Sequence, residues 1–151
     1  MAEKTESSIV IEASPAAVMA VIANLAAYPE WSDGITSVEV LSRYEEDDRP
    51  ADARFTVDSG MIKDTYELEY DWQGDASVSW TLTKGEMLTA LDGSYQLSDN
   101  GEGSTSVAYQ LAVDVKIPMI GMLKRKAEKV IIDTALKGLK KRVEATATPD
   151  S

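Results

Sequence analysis

Cysteine and histidine are both absent from these 151 residues. Without cysteine there is no disulfide, no thiol nucleophile and no thiolate metal ligand. Without histidine the usual general base, the commonest metal ligand and the usual triad partner are missing together. Long apolar runs are lacking too. The longest, residues 16–23, is far too short to cross a bilayer. No basic segment followed by an apolar one opens the chain, so a soluble cytoplasmic protein is expected. The length suits one domain, 1–151, with a proper core and room for an internal cavity.

Net charge is −11 and unevenly spread: residues 1–115 carry −16 and residues 116–146 carry +6. Such a balance disfavours nonspecific nucleic-acid binding. The cationic stretch reads first as a solvated helix face, with the basic residues of 137–142 complementing the negative end of the helix. A weak contact with an anionic membrane surface or an acidic partner is the sharper alternative, which the acidic remainder opposes. The run Glu45-Glu46-Asp47-Asp48 is contiguous in a turn and reads as a solvated loop, so no metal site is expected.

The cationic stretch, 118–146, has no proline after its first residue and suits one long helix begun by Pro118. At 100° per residue Ile120, Leu123, Ala127, Val130, Ile131, Thr134 and Gly138 fall on one stripe, widened by Ile132, Ala135, Leu136, Leu139 and Val143. A helix of about 28 residues runs roughly 42 Å. So broad an apolar face needs a curved partner. Gly138, central on that face, costs about 1 kcal/mol relative to alanine; close packing against the first helices is the expected reason.

The preceding chain supplies the partner. Residues 8–13 read as a strand. Ser14 and Pro15 then start a helix that Tyr28-Pro29-Glu30-Trp31 interrupts, before a second short helical turn. From Ile35 the period changes to two, giving strands at 37–44, 51–58, 63–72, 77–82 and 88–97, then one from Val107 to Val115. A bulge is expected near Gly93. Short connections make these six an antiparallel meander with one dry face and one acidic wet face. The expectation is an α+β fold: a curved seven-stranded antiparallel sheet around a long C-terminal helix, with two short helices between strands 1 and 2.

Several stretches together resemble the START-like, polyketide cyclase/dehydrase (SRPBCC) superfamily and its helix-grip fold. They are Ile9-Val10-Ile11-Glu12-Ala13-Ser14-Pro15, Val18, Tyr28-Pro29-Glu30-Trp31, Trp80, Leu91-Asp92-Gly93-Ser94-Tyr95-Gln96-Leu97 and the helix 118–139. The resemblance covers about residues 5–146. It implies the helix-grip fold and an internal cavity. Lipid and quinone carriers, hormone-binding and allergen proteins, aromatase/cyclases and chaperone activators are similar in this way, and they share no catalytic motif.

Phe55, Tyr66, Tyr70, Trp72, Trp80, Tyr95 and Tyr109 fall on the inward faces of the strands. Each suits core filling, yet all but Phe55 carry a polar edge that needs a partner when buried. Several polar tips on one concave face suit an apolar pocket with a few orienting groups. With Leu123, Ala127, Val130 and Ile131 from the helix, these residues are the candidate ligand-binding set.

The expected function is binding or transport of a small hydrophobic molecule, such as a lipid, polyketide or isoprenoid, without cofactor. A polyketide cyclase/dehydrase is the alternative. It would have to use Asp92 or a tyrosine, with Arg54, and a tyrosine near its ordinary pKa of about 10 is a poor base at neutral pH. A protein-binding module without ligand, which would show a filled interior, is a third reading.

Turn counting places Gly60-Met61-Ile62, Gly85-Glu86-Met87-Leu88 and the junction Ile117-Pro118-Met119-Ile120-Gly121-Met122 at one end of the sheet. Apolar turn residues oppose ordinary turn chemistry, and methionine adapts to varied apolar shapes. Met61, Ile62, Met87, Met119 and Met122 are therefore the expected rim of the cavity mouth. A homodimer contact at that end is the competing explanation, so a monomer or a weak homodimer is expected.

Overall fold

A computed structural model describes residues 4–32, 34–58, 63–116 and 121–147. The chain runs β1 (Thr5–Ile11), α1 (Pro15–Ala23), a 3-10 turn (Leu25–Ala27), α2 (Tyr28–Trp31), β2 (Ile35–Arg43) and β3 (Pro50–Asp58). Then follow β4 (Lys63–Gln73), β5 (Ser77–Gly85), β6 (Leu88–Gly101), β7 (Ser104–Val115) and α3 (Gly121–Ala147). All seven strands form one curved antiparallel sheet in the order β1-β7-β6-β5-β4-β3-β2. Register shifts in the β2–β3, β4–β5 and β6–β7 pairs mark bulges, which bend strands and increase twist.

Consecutive strands β1 and β2 occupy opposite edges of the sheet. The segment between them must therefore cross the sheet's width. Ser14 caps α1 by accepting the Ala17 N–H at 3.2 Å, and Pro15 opens the helix. The expected cap is thus present. Tyr28-Pro29-Glu30-Trp31, expected to interrupt the helical segment, is instead the second helix itself. Proline in the first turn removes only an N–H that has no intrahelical partner.

Strand alternation holds on the dry face: Ala53 and Phe55, Leu68 and Tyr70, Val78 and Trp80, Tyr95 and Leu97, and Val107, Tyr109 and Leu111 are buried. No register shift falls at Gly93, contrary to the expected bulge. The glycine instead lies beneath the Trp80 indole, whose ring would stand 2.5 Å from an added Cβ.

The deep seam of α3 is Glu128, Ile132, Leu136, Leu139 and Val143, all nearly inaccessible. This differs from the expected stripe, because Val130 is 48% exposed. A carboxylate, Glu128, joins the seam at its N-terminal end. Glu128 accepts from the Thr5 hydroxyl at 2.6 Å and from the Val113 N–H at 2.8 Å, which ties the helix to both β1 and β7. Pro118, the expected first residue of the helix, lies outside the described residues.

Two further contacts orient α3. Its Gly138 meets α2 so closely that a Cβ would stand 2.5 Å from the Trp31 carbonyl oxygen. The expected reason for this glycine holds. Arg142 pairs with Glu30 at 3.0 Å on the same seam. Near the far end, the Lys140 ammonium donates to the Val10 carbonyl and Glu144 accepts the Glu12 N–H. Both partners blunt the free edge of β1.

Candidate ligand cavity

Between the concave face of the sheet, α2 and the middle of α3 lies a cavity of about 180 Å³. Its floor is a continuous run of aromatic rings. Phe55 stacks on Tyr66 with centroids 5.7 Å apart, and lies 6.4 Å from Tyr70. Tyr70 leads to Trp80 at 5.7 Å, Trp80 to Tyr95 at 5.4 Å, and Tyr95 to Tyr109 at 4.7 Å. These spacings fall in the favourable range for tilted and offset rings. Adjacent strands supply them because the same parity on β3, β4, β5, β6 and β7 points inward.

Six of the seven predicted aromatics line this space: Phe55, Tyr66, Tyr70, Trp80, Tyr95 and Tyr109. Trp72 does not. Its indole N–H donates to the Pro50 carbonyl at 2.7 Å, its ring stacks on Tyr70, and the Arg49 guanidinium sits 5.3 Å from the ring. Alternation put Trp72 on the correct face, but the cavity ends at Tyr70. From α3, Ala127, Val130 and Ile131 line the cavity as expected. Val130 does so while exposed, so the space reaches the surface beside it.

Of the residues expected at the mouth, Met61, Ile62 and Met119 lie outside the described residues, as does the side chain of Met122; so does that of Leu123, which was expected in the ligand-binding set. Met87 is exposed and does not line the cavity. Lining residues that the strand pattern did not single out come from the crossover, chiefly Tyr28, Trp31 and Ile35, and from Leu88, Leu91 and Leu111 on the sheet.

Polar atoms in the wall follow two patterns. The Tyr28 hydroxyl donates to the Ile22 carbonyl. By contrast, the hydroxyls of Tyr66, Tyr70, Tyr95 and Tyr109 have no hydrogen-bond partner among the described residues, and they border open space rather than packed protein. Trp31 Nε1 is the fully buried side-chain donor without a partner among those residues. Burial pushes all five of these tyrosines above the ordinary phenol value. For Tyr66 the negative charge of Asp64 adds to burial, and for the others neighbouring phenols do. They are held as protonated phenols, donors rather than bases near neutral pH.

No aspartate, glutamate, lysine or arginine lines the cavity among the described residues. Asp92 and Arg54, the alternatives for proton transfer, both sit on the opposite face of the sheet. Asp92 accepts from the Thr81 hydroxyl at 2.8 Å, and Arg54 pairs with Glu39 and Glu67. One buried carboxylate stands nearby. Asp64 accepts the Glu86, Met87 and Leu88 N–H groups at 3.3, 3.1 and 2.9 Å, and so fixes the β5–β6 turn that places Leu88 in the wall. A single acidic residue near the start of a strand gave no sequence signal of this role.

A curved sheet gripping a helix over an aromatic cavity defines the class: a helix-grip, START-like protein. The family is named by its sequence model, "Polyketide cyclase / dehydrase and lipid transport", which matches residues 11–140; the chain belongs to that family. A search of curated proteins by sequence finds no match.

Among solved structures, a START superfamily protein from Mycobacterium smegmatis is similar at 23% identity and TM-score 0.88, over 95% of this chain and 98% of that one. The Zhui aromatase/cyclase from Streptomyces sp. R1128 is similar at 12% identity and TM-score 0.75, over 95% and 94%. The di-domain aromatase/cyclase BexL from the BE-7585A biosynthetic pathway matches at 16% identity and TM-score 0.77, over 97% of this chain and 48% of that one. At these identities the likeness is one of fold.

Proposed function

We propose that this protein binds or carries a small hydrophobic molecule in the aromatic cavity. The observation that carries the reading is the wall itself: mostly aromatic and aliphatic side chains and, among the described residues, no ionic group and four phenol hydroxyls without a protein partner. Ligand sites are concave and mostly apolar, with few polar groups to set orientation. The ligand-binding set is then Phe55, Tyr66, Tyr70, Trp80, Tyr95 and Tyr109 with Ala127, Val130 and Ile131. Entry is beside Val130, which lines the cavity while exposed.

The test is titration with the neutral two-ring fluorophore 1-naphthylamine. Saturable one-to-one enhancement is expected, with quenching of tryptophan emission through Trp31 and Trp80. Ile131→Trp, which fills the space, should abolish it while the protein stays folded by circular dichroism. Binding that does not saturate, or that survives filling of the cavity, would overturn the reading.

A second reading is a cyclase or dehydrase acting on an aromatic or polyketide substrate. The observation favouring it is the set of unpaired hydroxyls, which can hold a carbonyl oxygen in place. Turnover also needs a group that takes a proton, and phenols kept neutral by burial do not supply one at neutral pH. Conversion of a polyketide-like substrate, lost in Tyr109→Phe, would put this reading first.

A further inference from the structure

We infer that the cavity selects a neutral, flat, two-ring compound bearing carbonyl or ether oxygens, and rejects fatty acids and other organic anions. The inference rests on the binding reading above and narrows it by chemistry. Four hydroxyls, on Tyr66, Tyr70, Tyr95 and Tyr109, each bring a proton that no described protein acceptor takes. A ligand that covers them without offering acceptors strands donors in a dry site, at a cost comparable to a lost hydrogen bond for each. Oxygens on the ligand remove that cost.

Charge then separates neutral acceptors from anionic ones. A carboxylate carried into the cavity meets no lysine or arginine in the wall among the described residues. The charge that acts on Tyr66 is the carboxylate of Asp64, which has the wrong sign. An ion taken from water without a countercharge is strongly penalised. Phenol donors bond an anionic oxygen more strongly than a neutral one, but they carry no countercharge, and the cost of desolvating the ion is the larger effect.

Size and shape complete the selection. A cavity of about 180 Å³ is little larger than the roughly 150 Å³ apolar void that holds one benzene ring. It suits two fused rings and excludes a two-tailed lipid. Rings stacked from Phe55 through Tyr109 offer flat faces to a flat guest.

Three probes of matched size separate these effects by calorimetry: chromone, which is neutral with one ring ether oxygen and one carbonyl oxygen; naphthalene, which has no oxygen; and 1-naphthoate, which is anionic. Chromone is expected to bind about tenfold more tightly than naphthalene, and 1-naphthoate more weakly than either. Tyr95→Phe with Tyr109→Phe should shrink chromone's preference over naphthalene, chiefly by tightening naphthalene, which no longer strands those two donors. Both substitutions keep the rings and remove only unpaired hydroxyls. Saturable binding in which naphthalene or 1-naphthoate equals chromone, or in which the double variant keeps the preference, overturns this inference and leaves the binding reading standing. No saturable binding by any of the three, nor by the naphthylamine probe, overturns both.

Discussion

Raising the pH probes the aromatic interior as a whole. Tyr28, Tyr66, Tyr70, Tyr95 and Tyr109 all hold their protons more tightly in the folded chain than a free phenol does, mainly because they are buried. The unfolded chain releases the same protons near pH 10. The folded values are raised, so this stabilisation is complete below about pH 10 and is lost as the pH climbs from the unfolded value toward the folded ones. At about pH 11 each phenol accounts for a loss of roughly 1.4 kcal/mol, and the five together for on the order of 7 kcal/mol. Domains have about 5–15 kcal/mol in all. The protein should therefore unfold cooperatively about one to two pH units above 10.

Phenolate absorbance and far-ultraviolet circular dichroism, followed together through an alkaline titration, are the assay. The two should change at the same pH, because the phenols become available only when the chain opens. Lysine deprotonation and the growing negative charge also weaken the fold at high pH, so a comparison of variants isolates the tyrosines. Tyr95→Phe with Tyr109→Phe removes two of the five groups and should recover about 3 kcal/mol at about pH 11. Phenolate absorbance that develops in full while the dichroism stays native would refute the reasoning. So would a double variant that unfolds at the same pH as the parent.

Two other substitutions have worked outcomes. Gly138→Ala should gain about 1 kcal/mol in helix propensity yet lose about 1–3 kcal/mol to the collision with the Trp31 carbonyl. The thermal midpoint should fall, and a rise would show that α2 and α3 are not in close contact there. Asp64→Asn leaves an amide NH₂ facing N–H groups that the carboxylate now accepts, at a cost of about 1–3 kcal/mol. The urea midpoint should drop and amide exchange at Met87 and Leu88 should quicken; unchanged exchange at both would rule out Asp64 as the anchor of the β5–β6 turn.

Strand identity was legible because alternation reports which face a residue takes. Phe55, Tyr66, Tyr70, Trp80, Tyr95 and Tyr109 were placed on the cavity side by that rule alone. Depth is another matter. Trp72 has the same parity as Tyr70 and lies beyond the end of the cavity, held by Pro50 and Arg49 from a neighbouring connection.

The rotation of α3 differs from the sequence expectation for a physical reason as well. Glu128 breaks an apolar stripe in any sequence reading, and becomes compatible with burial only through Thr5 and Val113, both distant in the chain. Asp64 carries no sequence signal likewise, since the β5–β6 turn amides that it accepts lie more than twenty residues away. Tyr28-Pro29-Glu30-Trp31 looked like a break because proline usually is one. Position within the first turn decides that, and position is set by where the preceding helix ends.

The pairing of β1 with β7 has a consequence in time. Thr5 lies opposite Leu111 and Ile11 opposite Thr105, so the first strand finds its partner across about a hundred residues of chain. The strands from β2 to β7 zip up as local hairpins, whereas this pair closes a loop that spans most of the domain, the slow kind of contact. On a ribosome adding about 5–20 residues per second, β1 waits roughly 5–20 s before β7 exists to receive it. Through that interval its Thr5-Glu6-Ser7-Ser8 half is polar and poorly suited to adhere to a strand of another chain. The apolar Ile9-Val10-Ile11 half is the part at risk while the chain is being made.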